Sequence, residues 1–454
     1  MSSNLPNRAS SSAGAAAAAA AAAPPLESTS QQHAQSPAER PQGQLRFPDS
    51  YYDDQGRLVL KNLTLPEMER WCESIGEDGP KRAIQLWRWM YYDRQWIRSL
   101  EDAAAGKVQN GFSAAFLDKM RGLATADGGL LLQSIHTAAD GTRKMVFKLA
   151  HGPAAGGQVE TVLIPVVREQ GSKPRITLCV SSQVGCAMNC QFCFTGRMGL
   201  QGNLTPGQIV EQVVAARRLL WEEDVAAGVE RHITPITNLV YMGMGEPLHN
   251  LPAVLPSIET LCQPLGMHFS ANKITVSTVG LVPEMRQFSE QSKAVMAVSL
   301  HATTDEVRDW IVPVNRKWGL QELVGTMEEL FPRDQAAPRH GHHVLIEYTM
   351  LQGVNDTDDD ARRLLELTKD IRCKINLIVF NPHEGTQFKP STPERVQAFR
   401  SLLIQGGHVA TVRDSRGDDK MAACGQLGSP ESSTRRPPLL SPPERLQGAL
   451  ATSS

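Results

Sequence analysis

Six short runs rich in Val, Ile and Leu recur through the middle of the chain, at 175–182, 236–242, 273–278, 294–300, 343–350 and 374–380. Apolar runs of this length, rich in β-branched residues, read as buried strands. Between them, apolar residues spaced three or four apart predict helices over about 205–222, 251–264, 282–290, 318–330 and 358–370. Strand then helix, repeated six times, is the pattern of a parallel sheet joined by right-handed crossovers. The pattern predicts an α/β fold, a partial (β/α)6 barrel with its chemistry at the C-terminal strand ends. Ahead of it, Lys144–Leu149 and Glu160–Pro165 flank a Gly-rich stretch at 151–157 and predict a hairpin.

Outside this core the pattern changes. Residues 57–125 read as a small helical accessory module, with apolar residues at helical spacing in Leu65–Trp71 and Ala83–Met90. Its Trp87, Trp89, Tyr91 and Tyr92, beside Arg82, Arg88 and Arg94, suit either RNA contact or an aromatic helix core with solvated arginines. Residues 1–48 are low complexity, with an unbroken alanine run from Ala15 to Ala23, and are expected to be disordered. The first 26 residues hold no acid, as in a transit peptide, but Arg8 is their one basic residue. The expectation is a chloroplast or other organellar address; the alternative is an inert extension on a cytoplasmic protein. Residues 428–454 carry five prolines with serines and arginines, and also read as a disordered tail. The core is expected over 128–427.

Charge adds little. The net charge of −2 gives no global basic field, though a local patch suffices for a nucleic-acid partner. No run of about 18 apolar residues lies beyond the alanine tract, so no membrane span is expected.

Cysteine placement adds much more. Four of the eight cysteines lie between 179 and 193, which is not the spread of a disulfide framework. Cys186, Cys190 and Cys193 follow the first strand directly with C-x3-C-x2-C spacing. A [4Fe–4S] cluster normally takes four thiolates. Three leave one iron open to a substrate. A structural zinc site closes with four ligands, and no second pair lies near. Three buried thiols acting as small hydrophobes are the remaining reading.

The later strands end in polar residues. Gly243, Gly245 and Glu246 follow the second, where glycines permit close backbone approach and a carboxylate suits an ammonium group. Ser277 ends the third, Ser299-Leu300-His301 the fourth, and Asn381 follows the sixth. On one rim they suit a carboxylate and a ribose, although each is also a common cap or turn residue. Cys179 lies inside the first strand, and Cys424 in a glycine-bounded loop where a thiol can move and react.

Arg175–Cys186, Met242-Gly-Met-Gly-Glu-Pro247, Ser299-Leu-His-Ala302 and Arg416-Gly-Asp-Asp with Ala422-Ala-Cys-Gly-Gln-Leu427 resemble the RlmN family of radical S-adenosylmethionine (SAM) RNA methyltransferases, across roughly residues 57–427. The resemblance implies one [4Fe–4S] cluster on Cys186, Cys190 and Cys193. SAM contacts fall to Gly245, Glu246, Ser277, Ser299, Leu300, His301 and Asn381. It implies methylation of adenine carbon 2 in large-subunit ribosomal RNA and, as in bacteria, tRNA, with two SAM per turnover. Cys424 would carry the methyl group, Cys179 would close a disulfide with it, and Glu160 would accept a proton. RNA phosphates would meet Arg413 and Arg416, an external donor would supply electrons, and the chain would act as a monomer. A longer segment at 166–173 departs from the bacterial pattern. A sister enzyme acting on carbon 8 and a non-catalytic iron–sulfur RNA-binding protein are the alternatives.

Overall fold

The computed structural model describes residues 45–92, 96–166, 175–229, 236–334, 343–413, 415–428 and 437–451. The organellar address, Arg94 and most of the expected insertion at 166–173 lie outside these. Ten strands form one sheet. Its parallel part is Arg175–Cys179 (β4), Ile236–Tyr241 (β5), Ile274–Thr278 (β6), Val295–Ser299 (β7), Val344–Met350 (β8), Cys373–Val379 (β9) and Ala410–Arg413 (β10). Three antiparallel strands, Leu130–Thr137 (β1), Arg143–Leu149 (β2) and Gln158–Val166 (β3), extend the β4 edge. The six expected parallel strands are thus present, and β1 and β10 extend the sheet at its two edges.

Side chains set this order. Residues such as Leu178, Leu239, Val276, Val298, Ile346 and Leu377 are fully buried or nearly so. Each apolar side chain buried this deeply contributes about 1.5–3 kcal/mol. The crossover helix Pro206–Ala226 starts at a capping box, in which the Gln208 N–H donates to Thr205 Oγ1 at 3.3 Å and Thr205 N–H to Gln208 Oε1 at 3.0 Å. Register puts Cys179 at the end of β4, opposite Val162 of β3 and Val240 of β5.

The accessory module packs on that crossover helix. Asn62 Oδ1 accepts the Gly207 N–H at 2.8 Å, and the Lys61 ammonium, 1% exposed, pairs with Glu211. Module and core belong to one compact unit over 41–454. Trp87 and Tyr91 are fully buried, ring against ring at 4.7 Å, so they are core and not RNA contacts. Arg82 is held by Glu77 and lies over Phe116. Tyr92 alone of the four aromatics is well exposed.

The tail departs from expectation. Residues 437–447 lie across the cysteine loop as a strap. Asn189 Nδ2 donates to Pro438 O at 3.2 Å, Leu440 N–H to Gln191 Oε1 at 2.8 Å, and Trp310 Nε1 to Leu440 O at 3.0 Å. Arg445 pairs with Glu306, and Leu446 is buried in the apolar cluster that holds Trp310 and Phe388. Over 437–447, two leucines among the prolines find an apolar surface to cover. Among the described residues, no helix is long and apolar enough to cross a membrane.

Candidate active site

The cysteine loop is shaped by backbone. Gly185 has φ +70°, and a β-carbon there would sit 1.8 Å from Gly199 O, so only glycine fits. Cys186 N–H donates to Gly199 O at 3.1 Å and Gln191 N–H to Ile311 O at 3.0 Å. The Phe192 ring meets the edge of His301 at 4.8 Å. Cys186, Cys190 and Cys193 then line one cavity of about 120 Å³ together with Gly245, Glu246, Ser277, Ser299, His301 and Cys424. Burial pushes all three thiols above their ordinary pKa.

Across from them, Gly245 at φ +99° presses on Gln183, where a β-carbon would come within 2.5 Å of Gln183 Cβ. That turn sets Glu246, 3% exposed. Its carboxylate accepts the N–H groups of Leu248 at 3.1 Å and Val279 at 3.0 Å, and forms no ion pair among the described residues. Burial raises its pKa to about 7. His301 sits at φ +58° and accepts the Thr349 N–H on Nδ1 at 3.0 Å. Burial drives its pKa down to about 3, so the ring is neutral with its proton on Nε2. Ser277 Oγ donates to Glu347 Oε2 at 2.9 Å and stands 3.3 Å from Ser299 Oγ.

Cys424 joins this cavity to a second, of about 230 Å³, lined by Ile164, Asn381, Arg413, Ser415 and Arg416. Its pKa is pushed up to about 11 by burial, against which Arg413 acts. Cys179, buried at the end of β4, is pushed up to about 12 by burial and by the charge of Cys424, with Arg413 opposing. The two thiols are thus electrostatic neighbours, and all eight cysteines are free.

Three of the expected site residues have partners of their own. Asn381 lines the second cavity and donates to Cys424 O at 3.1 Å, so it holds the reactive loop instead of the first cavity. Leu300 is fully buried; its backbone binds Arg308 and Glu347. Glu160 faces a third cavity, of about 520 Å³, apart from both cavities lined by Cys424. There it meets Lys144 at 3.3 Å and accepts the Gly428 N–H at 3.1 Å. Arg416 lies 3.9 Å from Asp140, and Arg413 turns inward to Glu347.

Sequence reading missed Arg308 and Glu347. Arg308 is fully buried, and its guanidinium donates to the carbonyls of Leu300, Val279 and Ser299 and to Asn315 Oδ1, at 2.7–3.2 Å. It ties the ends of β6 and β7 together. Glu347 carried a usable signal: an acid at an inward position of the apolar strand Val344–Met350.

Two buried thiols and a half-buried one, lining one cavity with a buried carboxylate that has no ion pair among the described residues, suit an iron–sulfur cluster and the ammonium end of SAM. On this parallel sheet they define a radical SAM enzyme, and the Radical SAM superfamily profile matches residues 180–367. The dual-specificity RNA methyltransferase RlmN of Syntrophotalea carbinolica is 40% identical over 380 residues, covering 84% of this chain and 92% of its own. That of Pelobacter propionicus is 41% identical, covering 83% and 98%. A radical SAM methyltransferase structure from Sphaerobacter thermophilus superposes with TM-score 0.69 at 36% identity, covering 81% and 98%. The chain belongs to the RlmN family.

Proposed function

We propose that this protein methylates carbon 2 of adenine in large-subunit ribosomal RNA and in tRNA, through a methyl group carried on Cys424. The observation that carries this is the placement of Cys424, which lines both the cavity of the cysteine loop and the neighbouring cavity. Carbon 2 of adenine is not nucleophilic, so direct transfer from the sulfonium fails and a radical route is required. Cys186, Cys190 and Cys193 would hold the [4Fe–4S] cluster, which when bound supplies the electron that cleaves SAM.

The chain's own residues do the rest. Glu246 takes the SAM ammonium; Ser277, Ser299 and the His301 Nε2–H face the same cavity. SAM bound in this cavity would supply the methyl group to the Cys424 thiolate and, from a second molecule, the radical that activates it. The adenine leaves its stack to enter the second cavity. After the carbon–carbon bond forms, the adduct radical gives one electron back to the external redox partner and its carbon-2 proton to a base, and the Cys179 thiolate then attacks the Cys424 sulfur. The S–S bond forms as the C–S bond breaks, and the electron pair passes to the base, which is then protonated. An external reductant restores both thiols, and an external donor supplies the electron for each cleavage.

Anaerobic reconstitution with dithionite, SAM and RNA, followed by mass spectrometry of digested nucleosides, tests this. The expected product is 2-methyladenosine, with 5′-deoxyadenosine formed alongside; 8-methyladenosine alone would refute it. Cys179→Ala is expected to leave protein covalently bound to RNA. For the compartment we propose a chloroplast or other organelle, on the acid-free first 26 residues. Imaging a fluorescent fusion of residues 1–48 checks it, and diffuse cytoplasmic signal would overturn it.

A further inference from the structure

We propose that Arg413 is a positioning residue for both reactive thiols: one guanidinium steadies the Cys424 thiolate for methyl transfer and later the Cys179 thiolate for release. This rests on the reading of Cys424 as methyl carrier. The geometry is that of a cation set into the wall between the two cavities. Arg413 ends β10 and lines the second cavity beside Cys424, Asn381 and Ser415. Its Nη1 stands 3.9 Å from Glu347 Oε1 and 3.7 Å from Met242 Sδ. Met242 and Glu347 line the first cavity with Cys424, and the Met242 backbone N–H is also the hydrogen-bond donor to the Cys179 sulfur. Glu347 is anchored in turn by Ser277 Oγ. The guanidinium is therefore fixed from the strand-end side while its charge faces two thiols.

The charges around those sulfurs can be enumerated. Cys424 is acted on by Arg413, then by Glu347, and least by Cys193; Cys179 by Cys424, Arg413 and Glu347. Arg416 is turned to Asp140, and Asp418 accepts from Gln426 Nε2. Among the described residues, Arg413 is the cation that acts most strongly on both sulfurs. Burial disfavours both thiolates, and an adjacent cation is the ordinary means of recovering them. The transfer step balances simply. The Cys424 thiol gives its proton to water. The thiolate then attacks the sulfonium methyl of SAM, and the breaking C–S pair returns to the SAM sulfur. A thiolate and a sulfonium become two neutral thioethers, and the guanidinium is unchanged.

The same residue also suits an RNA phosphate, and the experiment separates the two roles. Cys424 in the reconstituted full-length protein is alkylated with iodoacetamide at several pH values from 7 to 10 without RNA, and its midpoint is taken from the tenfold-per-unit rise of the rate below the pKa, read by peptide mass spectrometry with Cys262 as internal reference. Arg413→Gln is expected to move the Cys424 midpoint up by at least one unit, about tenfold slower alkylation at pH 8. Arg413→Lys, which keeps the charge, is expected to stay within half a unit of the parent, and serves if the Gln variant does not fold: a one-unit rise there would overturn the proposal. An unchanged Arg413→Gln midpoint with weakened RNA binding would overturn it in favour of a phosphate contact. A shifted midpoint in a protein whose Cys424 never gains a methyl group from SAM would sink the methyl-carrier reading and leave only the charge effect of Arg413 on the thiol.

Discussion

Replacing Glu211 by Gln should turn the joint between the accessory module and the core into a pH-dependent weak point. Glu211 neutralises the Lys61 ammonium, which is 1% exposed, and also stands 3.6 Å from Arg218. Gln keeps the volume and an acceptor but removes the charge. Stranding one member of a buried pair typically costs about 3–5 kcal/mol. Lys61 has an escape: it can fold neutral. From its ordinary pKa of 10.5, deprotonation at pH 8 costs about 3.4 kcal/mol, at 1.36 kcal/mol per unit, and at pH 10 about 0.7. That cost caps the penalty.

The direction follows from proton binding. Burial already lowers Lys61 in the parent, with Glu211 the largest opposing influence, so the variant lowers it further. Its unfolded state then binds more protons than its folded state, and stability rises with pH up to the unfolded pKa. Urea unfolding of parent and variant, followed through the buried Trp71 and Trp87, should show about 3 kcal/mol of destabilisation at pH 8 and less than about 1 kcal/mol at pH 10. A variant within 1 kcal/mol of the parent at pH 8, or a deficit that does not shrink by pH 10, would refute the reasoning.

Glu246 should impose a pH dependence on SAM binding. Its folded pKa of about 7 lies above the unfolded value, so its ionisation costs stability as pH rises between the two. SAM's ammonium needs the carboxylate, so affinity by equilibrium dialysis should fall about tenfold per unit below pH 7; a flat response from pH 5.5 to 7 would count against the assignment. Arg308→Lys should strand two or more buried carbonyls at about 1–3 kcal/mol each. We expect a loss of at least about 2 kcal/mol in urea unfolding together with weaker SAM binding, and parent-like values for both would contradict its role in tying β6 to β7.

How much was legible in the sequence follows from how local each signal is. The parallel strands declare themselves by apolar runs, and the cysteine loop and Gly-Glu turn by residues within a few positions of one another. Strand β1 hid because its apolar residues face outward, with Leu131 48% and Leu132 47% exposed, so no alternation marks it. Strand β10 hid because it is four residues at a sheet edge. The helix Pro393–Gln405 before it buries only Val396, Phe399 and Leu403, too narrow a stripe to stand out. Arg308, Glu347 and Arg413 take meaning only from partners on other strands. Glu160 is the converse: a local motif match whose packing against Lys144 turns it elsewhere.

The strap gives the chain a schedule. Asn189 and the Pro438 that latches it are separated by 249 residues. At about 5–20 residues per second, the ribosome needs roughly 12–50 s to make that interval. Throughout it the cysteine loop exists without its cover. A nascent chain shorter than 438 residues therefore lacks the contacts of Asn189, Gln191 and Trp310 that the finished chain makes with the strap.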